Sequence, residues 1–146
     1  MVVYGQLPEY CYRNTHPMLR DIQTLTDIQA LVHSFYGQIR KEPLLGPVFE
    51  EKIQDRWPEH LEKMIRFWQT VLLDEHTYFG SPFPPHALLP VQGLHFDRWV
   101  QVFEQTVDGL FEGPNAQKAK LQGSRMAALF HAKHQYYQGS SSIPLV

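Results

Sequence analysis

The sequence predicts an all-α protein. Three observations carry that reading. Apolar residues recur three and four positions apart in several long runs, no stretch alternates with the period of two that a half-buried strand needs, and most prolines and glycines fall between the runs. No internal repeat stands out. With 146 residues, 43% of them hydrophobic, the chain is long enough for one domain around one core.

Residues 1–25 are rich in Tyr, Pro and polar side chains, lack sustained periodicity, and read as an irregular arm with at most a helical turn from Pro17 to Leu25. Thr26 is expected to open the first helix, with Gln29 three residues on in a capping-box pattern. Ile28, Leu31, Val32, Phe35 and Ile39 form its buried stripe, and Lys41-Glu42-Pro43 closes it. Leu44 to Phe49 reads as a tight connection, because Gly46 and Pro47 punctuate it. A second helix starts between Asp55 and Pro58, where Pro suits the first turn, and Leu61, Met64, Ile65, Phe67, Trp68, Val71 and Leu72 carry it to Leu73.

Between Asp74 and Pro90 the chain holds Gly80, Pro82, Pro84, Pro85 and Pro90, so neither a long helix nor an inner strand fits there. Helical spacing resumes from Gln92 to Glu112 with Leu94, Phe96, Trp99, Val100, Phe103, Val107, Leu110 and Phe111. Gly113-Pro114 stops it. A last helix is expected from Asn115 to Tyr137, with Leu121, Ala128, Leu129 and Phe130 on its apolar side, and residues 139–146 read as a frayed tail.

Composition narrows the function. Aromatic residues make up 13% of the chain, enough to suggest that something flat or bulky is enclosed. Thirteen basic and fifteen acidic residues give a net charge of -2 with no Lys/Arg run, which argues against nucleic acid as a partner. The lone Cys11 can form no internal disulfide, and no cysteine pair exists for a zinc or iron–sulfur site. The start of the chain lacks the basic-then-apolar pattern of a signal peptide, and no apolar stretch approaches the ~20 residues of a membrane span. A soluble, cytoplasmic protein is the expectation.

His86 stands in Pro82-Phe83-Pro84-Pro85-His86, a short proline-fenced segment that can hold a neutral imidazole in place. A haem iron needs such an axial ligand on one face and an adjustable pocket on the other. Alone, a histidine in a loop is more often surface decoration. Other positions change the odds. Tyr36 follows Phe35 in the first helix and points inward; a buried phenol needs a hydrogen-bond partner, either a backbone carbonyl or a diatomic ligand on iron. His60 lies four residues before Met64 and eight before Trp68, on one helical face, as a boundary histidine or a gate to the pocket. Trp99 shares an apolar face with Phe96 and Phe103, and its indole N–H can only donate. His95, four residues before Trp99, is the rival metal ligand. His86 is preferred, because an axial ligand at His95 would drag Trp99 to its own side of the haem. Lys63, Tyr78, Arg98 and His95 are candidates to hold the haem propionates.

The ordered pieces Phe35-Tyr36, Leu45-Gly46-Pro47-Val48-Phe49, Trp57-Pro58-Glu59-His60, Phe67-Trp68, Tyr78-Phe79-Gly80, Pro85-His86 and His95-Phe96-Asp97-Arg98-Trp99 lie in a chain that resembles the truncated haemoglobins, most closely their third group, over residues 27–137. The resemblance implies a shortened globin, a two-over-two helical sandwich around haem b, with residues 26–138 as the domain, 1–25 as an arm and 139–146 as a tail. It implies His86 as proximal ligand, Tyr36 as distal tyrosine, His60 as gate and Trp99 as distal tryptophan. Phe35, Phe49, Met64 and Trp68 match positions that line the haem.

Three function classes follow. The first is a haem protein that binds dioxygen, nitric oxide or other diatomic ligands and retains or transports them. The second is a haem redox enzyme, a nitric-oxide dioxygenase or peroxidase-like, which would need a partner reductase because the chain carries no flavin or nicotinamide module. The third is a haem-free helical interaction module, which would be colourless.

Overall fold

The structure, a computed structural model, describes residues 18–80 and 89–140, with side chains followed as far as Tyr136. His86 and Cys11 lie outside the described residues. Among these the chain forms five helices and no strand: α1 (Leu25–Ile39), α2 (Gly46–Ile53), α3 (Trp57–Leu73), α4 (Gly93–Leu110) and α5 (Pro114–Ser140). α1 packs on α3 and α4 on α5, and contacts of α1 with α4 and of α3 with α5 join the two pairs. This pairing agrees with the two-over-two arrangement that the resemblance implies.

α1 buries Ile28, Leu31, Val32, Phe35 and Ile39, the expected stripe, and Tyr36 points inward with it as expected. Its cap differs from the expectation at Thr26 and Gln29. Thr24 is the N-cap, its hydroxyl accepting the Asp27 N–H at 3.2 Å while the Asp27 carboxylate accepts the Thr24 N–H at 3.0 Å. An ionised acid in the first turn also faces the positive end of the helix, which a neutral Gln29 would not exploit. Asp27 further accepts from the Gln23 N–H at 2.9 Å and pairs with Arg20. Burial works to raise its carboxyl pKa, but these donors prevail and hold it below the ordinary 3.8.

A group held low in this way stabilises the fold above its unfolded-state value and loses that contribution as pH falls through its folded value. Asp27→Asn is therefore expected to lower the unfolding free energy by roughly 1–2 kcal/mol at neutral pH. It should also flatten the acid limb of stability below the ordinary carboxylate range. Urea unfolding of both proteins at neutral and acidic pH checks this, and equal midpoints at neutral pH would remove Asp27 from the account.

The core starts before α1. Ile22 is fully buried, and the Asp21 carboxylate accepts the Asn115 and Ala116 N–H groups at 3.0 and 2.9 Å, capping the start of α5. Gly113 turns the chain between α4 and α5 at φ +145°, and a Cβ there would lie 2.5 Å from Asp21 Cγ. No helical turn forms over residues 18–23; Pro17 lies outside the described residues.

Leu44–Phe49, expected as a connection, is instead the approach to and first turn of α2. Pro47 is tolerated in a first turn because that N–H has no helical partner to lose. α5 also differs. Leu121 and Leu129 are each 51% exposed, and the inward face is Ala116, Ala119, Gly123, Ala127, Phe130 and His134. Small residues let α5 approach α4 closely: a Cβ on Gly123 would stand 2.9 Å from the Phe103 ring. No described helix is long and apolar enough to cross a membrane.

Candidate functional site

An aromatic stack sets the site. Trp68 of α3 lies parallel to Phe103 of α4 at 5.0 Å between centroids, and Phe103 lies parallel to Trp99 at 5.2 Å. Phe35 meets both Trp99 and Phe103 edge-on, each at 5.2 Å. Offset-stacked and edge-to-face contacts are the two arrangements that the ring quadrupole favours. Phe35 itself is 2% exposed and braces this stack from behind rather than lining the cavity in front of it.

Tyr36 is held by a second ring cluster. Its ring sits 4.8 Å from His60 and 6.0 Å from Trp57, both edge-on, and 6.1 Å from Phe49. Trp57 is fixed in turn by the Arg40 guanidinium over its face at 4.5 Å and by Glu50, which accepts from Arg40 at 2.6 Å and from the indole N–H at 3.3 Å. Hydrogen bonding from Arg40 holds the Glu50 carboxyl below its ordinary range. Burial pushes the Tyr36 phenol well above its usual value, so the hydroxyl stays a proton donor.

In front of these clusters lie two adjoining cavities that share Val48, Phe49, Met64 and Leu89 as a common wall. The inner one, about 80 Å³, is apolar apart from its functional groups: Tyr36, Met64, Trp68, Trp99 and His95 all face it, with Ala127 and Phe130 closing it from α5. The outer one, about 840 Å³, opens between α2, α3 and the segment after α3, and is lined by His60, Lys63, Tyr78, Lys52 and Arg56. Its size lies within the ~300–1,000 Å³ of small-molecule sites.

Two observations test whether these residues suit a haem, and both fit. Among the described residues neither the Tyr36 hydroxyl nor the Trp99 indole N–H has a hydrogen-bond acceptor, although Tyr36 is only 5% exposed. Both residues line the inner cavity, so a ligand there can accept from them. At the outer end Lys52 and Lys63 have no carboxylate partner among the described residues, whereas Arg40, Arg66, Arg98 and Lys120 each have one. An apolar slot with inner donors and outer cations suits a flat apolar ring bearing carboxylates.

The structure sorts the expected residues. Tyr36, Trp99, His60, Phe49, Met64, Trp68, Lys63, Tyr78 and His95 converge on the paired cavities. Arg98 does not: it pairs with Glu42 at 2.7 Å, and the same carboxylate caps the Leu44 and Leu45 N–H groups, also at 2.7 Å. His95 Nδ1 accepts the Gln92 N–H at 2.9 Å, which places the ring proton on Nε2 in this arrangement. Lys52, Arg56 and the α5 wall escaped the sequence reading. Lys52 and Arg56 sit on either side of the break between α2 and α3, so no helical periodicity marked them in the sequence.

No family model matches the chain. The group 3 truncated hemoglobin of Campylobacter jejuni is 35% identical over 85 residues, which cover 56% of this chain and 67% of that protein. The crystal structure of the group III truncated hemoglobin from Campylobacter jejuni matches with a TM-score of 0.72 at 28% identity, covering 79% of this chain and 94% of the other. The ordered motifs, the joined helical pairs and this relative agree, and the chain belongs to the group III truncated haemoglobins.

Proposed function

We propose that the protein holds one haem b and binds dioxygen, nitric oxide or other diatomic ligands, retaining them through donors on the distal side. The observation that carries this is the pair of donors, Tyr36 and Trp99, facing one small apolar cavity with no acceptor of their own among the described residues. His86, in its proline-fenced segment, is the iron ligand in this reading. The haem supplies a metal centre open to small gases.

Each side chain then has a task. Tyr36, kept protonated by burial, donates to a ligand that carries partial negative charge, and Trp99 donates from a second direction. Each such bond contributes about 1 kcal/mol net. His60 stands where the outer cavity meets Tyr36 and can gate passage or act as a further donor. Phe49, Met64 and Trp68 exclude water, while Phe35 keeps Trp99 in place. Lys63, with Lys52 and Arg56, would neutralise the propionates at the mouth of the outer cavity, and Tyr78 would be an additional donor there, whereas His95 faces the inner cavity. Cytoplasmic residence and a reductase partner belong to the same proposal.

Slow release suits retention, sensing or redox chemistry better than delivery. Stopped-flow replacement of oxygen by carbon monoxide tests this. The expected result is slow release that stays flat through the neutral and mildly alkaline range, because the phenol titrates above its ordinary 10.0. Release at the rate of a pocket without donors would overturn it.

A further inference from the structure

Trp57 lines neither of the paired cavities, yet three elements converge on it. It is the first residue of α3, and its side chain is buried. The Arg40 guanidinium, from the residue that caps the end of α1, lies over its ring at 4.5 Å. Glu50 of α2 bridges the two: one carboxylate oxygen accepts from Arg40 Nε at 2.6 Å and the other from the indole N–H at 3.3 Å. The Arg40 and Glu50 side chains are 47% and 42% exposed, and an ion pair so placed contributes little by itself. What the pair does contribute is a fixed position for the indole beneath it.

That indole meets both Tyr36 and His60 edge-on, with centroids at 6.0 and 5.7 Å, while Tyr36 and His60 meet each other at 4.8 Å. Chain spacing enforces the grouping. Arg40 lies one turn after Tyr36, its N–H donating to the Tyr36 carbonyl at 3.0 Å, and His60 lies one turn after Trp57 on α3. The Tyr36 hydroxyl has no hydrogen bond among the described residues, so the direction of its O–H is set by the rings around it. Hydrogen bonds weaken steeply as they bend away from linear, so a tilt of this ring would forfeit the donor while leaving the residue in place.

We propose that Arg40, Glu50 and Trp57 are positioning residues for ligand retention: the half-exposed pair locks the indole, and the indole fixes the rings of Tyr36 and His60. This rests on the reading of Tyr36 as a donor to the bound ligand. The test uses the full haem-loaded chain in three variants. Arg40→Met keeps length but removes the cation, Arg40→Lys keeps a cation beside Glu50 and the ring, and Trp57→Leu removes the ring. The readouts are the C–O stretching band of the carbon monoxide complex in infrared spectra, the rate of oxygen release and the urea midpoint. The C–O band follows the polarity and order of the groups beside the ligand, which overall stability does not report.

Trp57→Leu should split the band and speed oxygen release about fivefold, the scale of one lost hydrogen bond. Arg40→Met should broaden the band and speed release about twofold, the scale of an exposed cation over a ring. Arg40→Lys should lie closer to wild type than to Arg40→Met in both readouts. A wild-type band and release rate in Arg40→Met and Trp57→Leu would overturn the proposal even if their urea midpoints fall, since that pattern marks packing alone. Arg40→Lys no closer to wild type than Arg40→Met would overturn it too. Should Trp57→Leu prevent folding, the half-exposed Arg40 position decides. A C–O band unchanged in Tyr36→Phe would instead overturn the donor reading beneath the proposal.

Discussion

Haem should be lost from His86→Ala far faster than from the wild-type chain. Removing a partner one shell out from a metal commonly costs ~10–100-fold in affinity, and removing the ligand itself should exceed that. The companion variant is His95→Ala. In the structure His95 Nδ1 is occupied by the Gln92 N–H, so its loss should weaken the start of α4 by about 1 kcal/mol and leave haem ligation intact. Haem-transfer kinetics on both variants separate the two imidazoles. Normal retention in His86→Ala together with rapid loss in His95→Ala would transfer the ligand assignment to His95.

Oxygen release is expected to quicken about fivefold in Tyr36→Phe and by a similar factor in Trp99→Phe, the change that a bond of about 1 kcal/mol implies. The two positions touch through Phe35, at 4.9 Å from Tyr36 and 5.2 Å from Trp99, so the double variant should depart from the product of the singles. Phe in place of Tyr removes only the hydroxyl and leaves the ring contacts with His60 and Trp57. Release unchanged in Tyr36→Phe would take that residue out of the mechanism.

Helices α1, α3 and α4 were legible in the sequence because large apolar residues mark their faces at helical spacing. The start and face of the remaining helices were less so, for identifiable reasons. Gly46 and Pro47 look like turn residues, yet Pro fits a first helical turn, and Gly46 is needed because a Cβ would stand 2.8 Å from the Arg40 carbonyl. The inner face of α5 is mostly Ala and Gly beside Phe130 and His134, so Phe130 was placed correctly while Leu121, Ala128 and Leu129 were placed inward although they are exposed. Thr24 and Thr26 both suit a cap, and only the acid at Asp27 decides between them.

The inner donors were readable for a different reason. Tyr36 and Trp99 are polar-tipped aromatics within otherwise apolar stripes, a pattern that needs a partner wherever the chain folds. His60 was readable from its register with Met64 and Trp68. The outer cations were not, since Lys52 near the end of α2 and Arg56 at the start of α3 gain meaning only once the fold brings them beside Lys63 on one rim. Arg98 looked equivalent to Lys63 until Glu42, distant in sequence, was found to hold it.

The most direct test is a titration of the haem-free protein with haemin, followed by the Soret band and by quenching of tryptophan fluorescence. Trp68 and Trp99 both face the inner cavity, so binding there must quench them. The account predicts a sharp break at one haem per chain in both signals, with the folded protein stabilised against urea. A protein that stays colourless in excess haemin and unfolds at the same urea concentration with and without it would contradict the account.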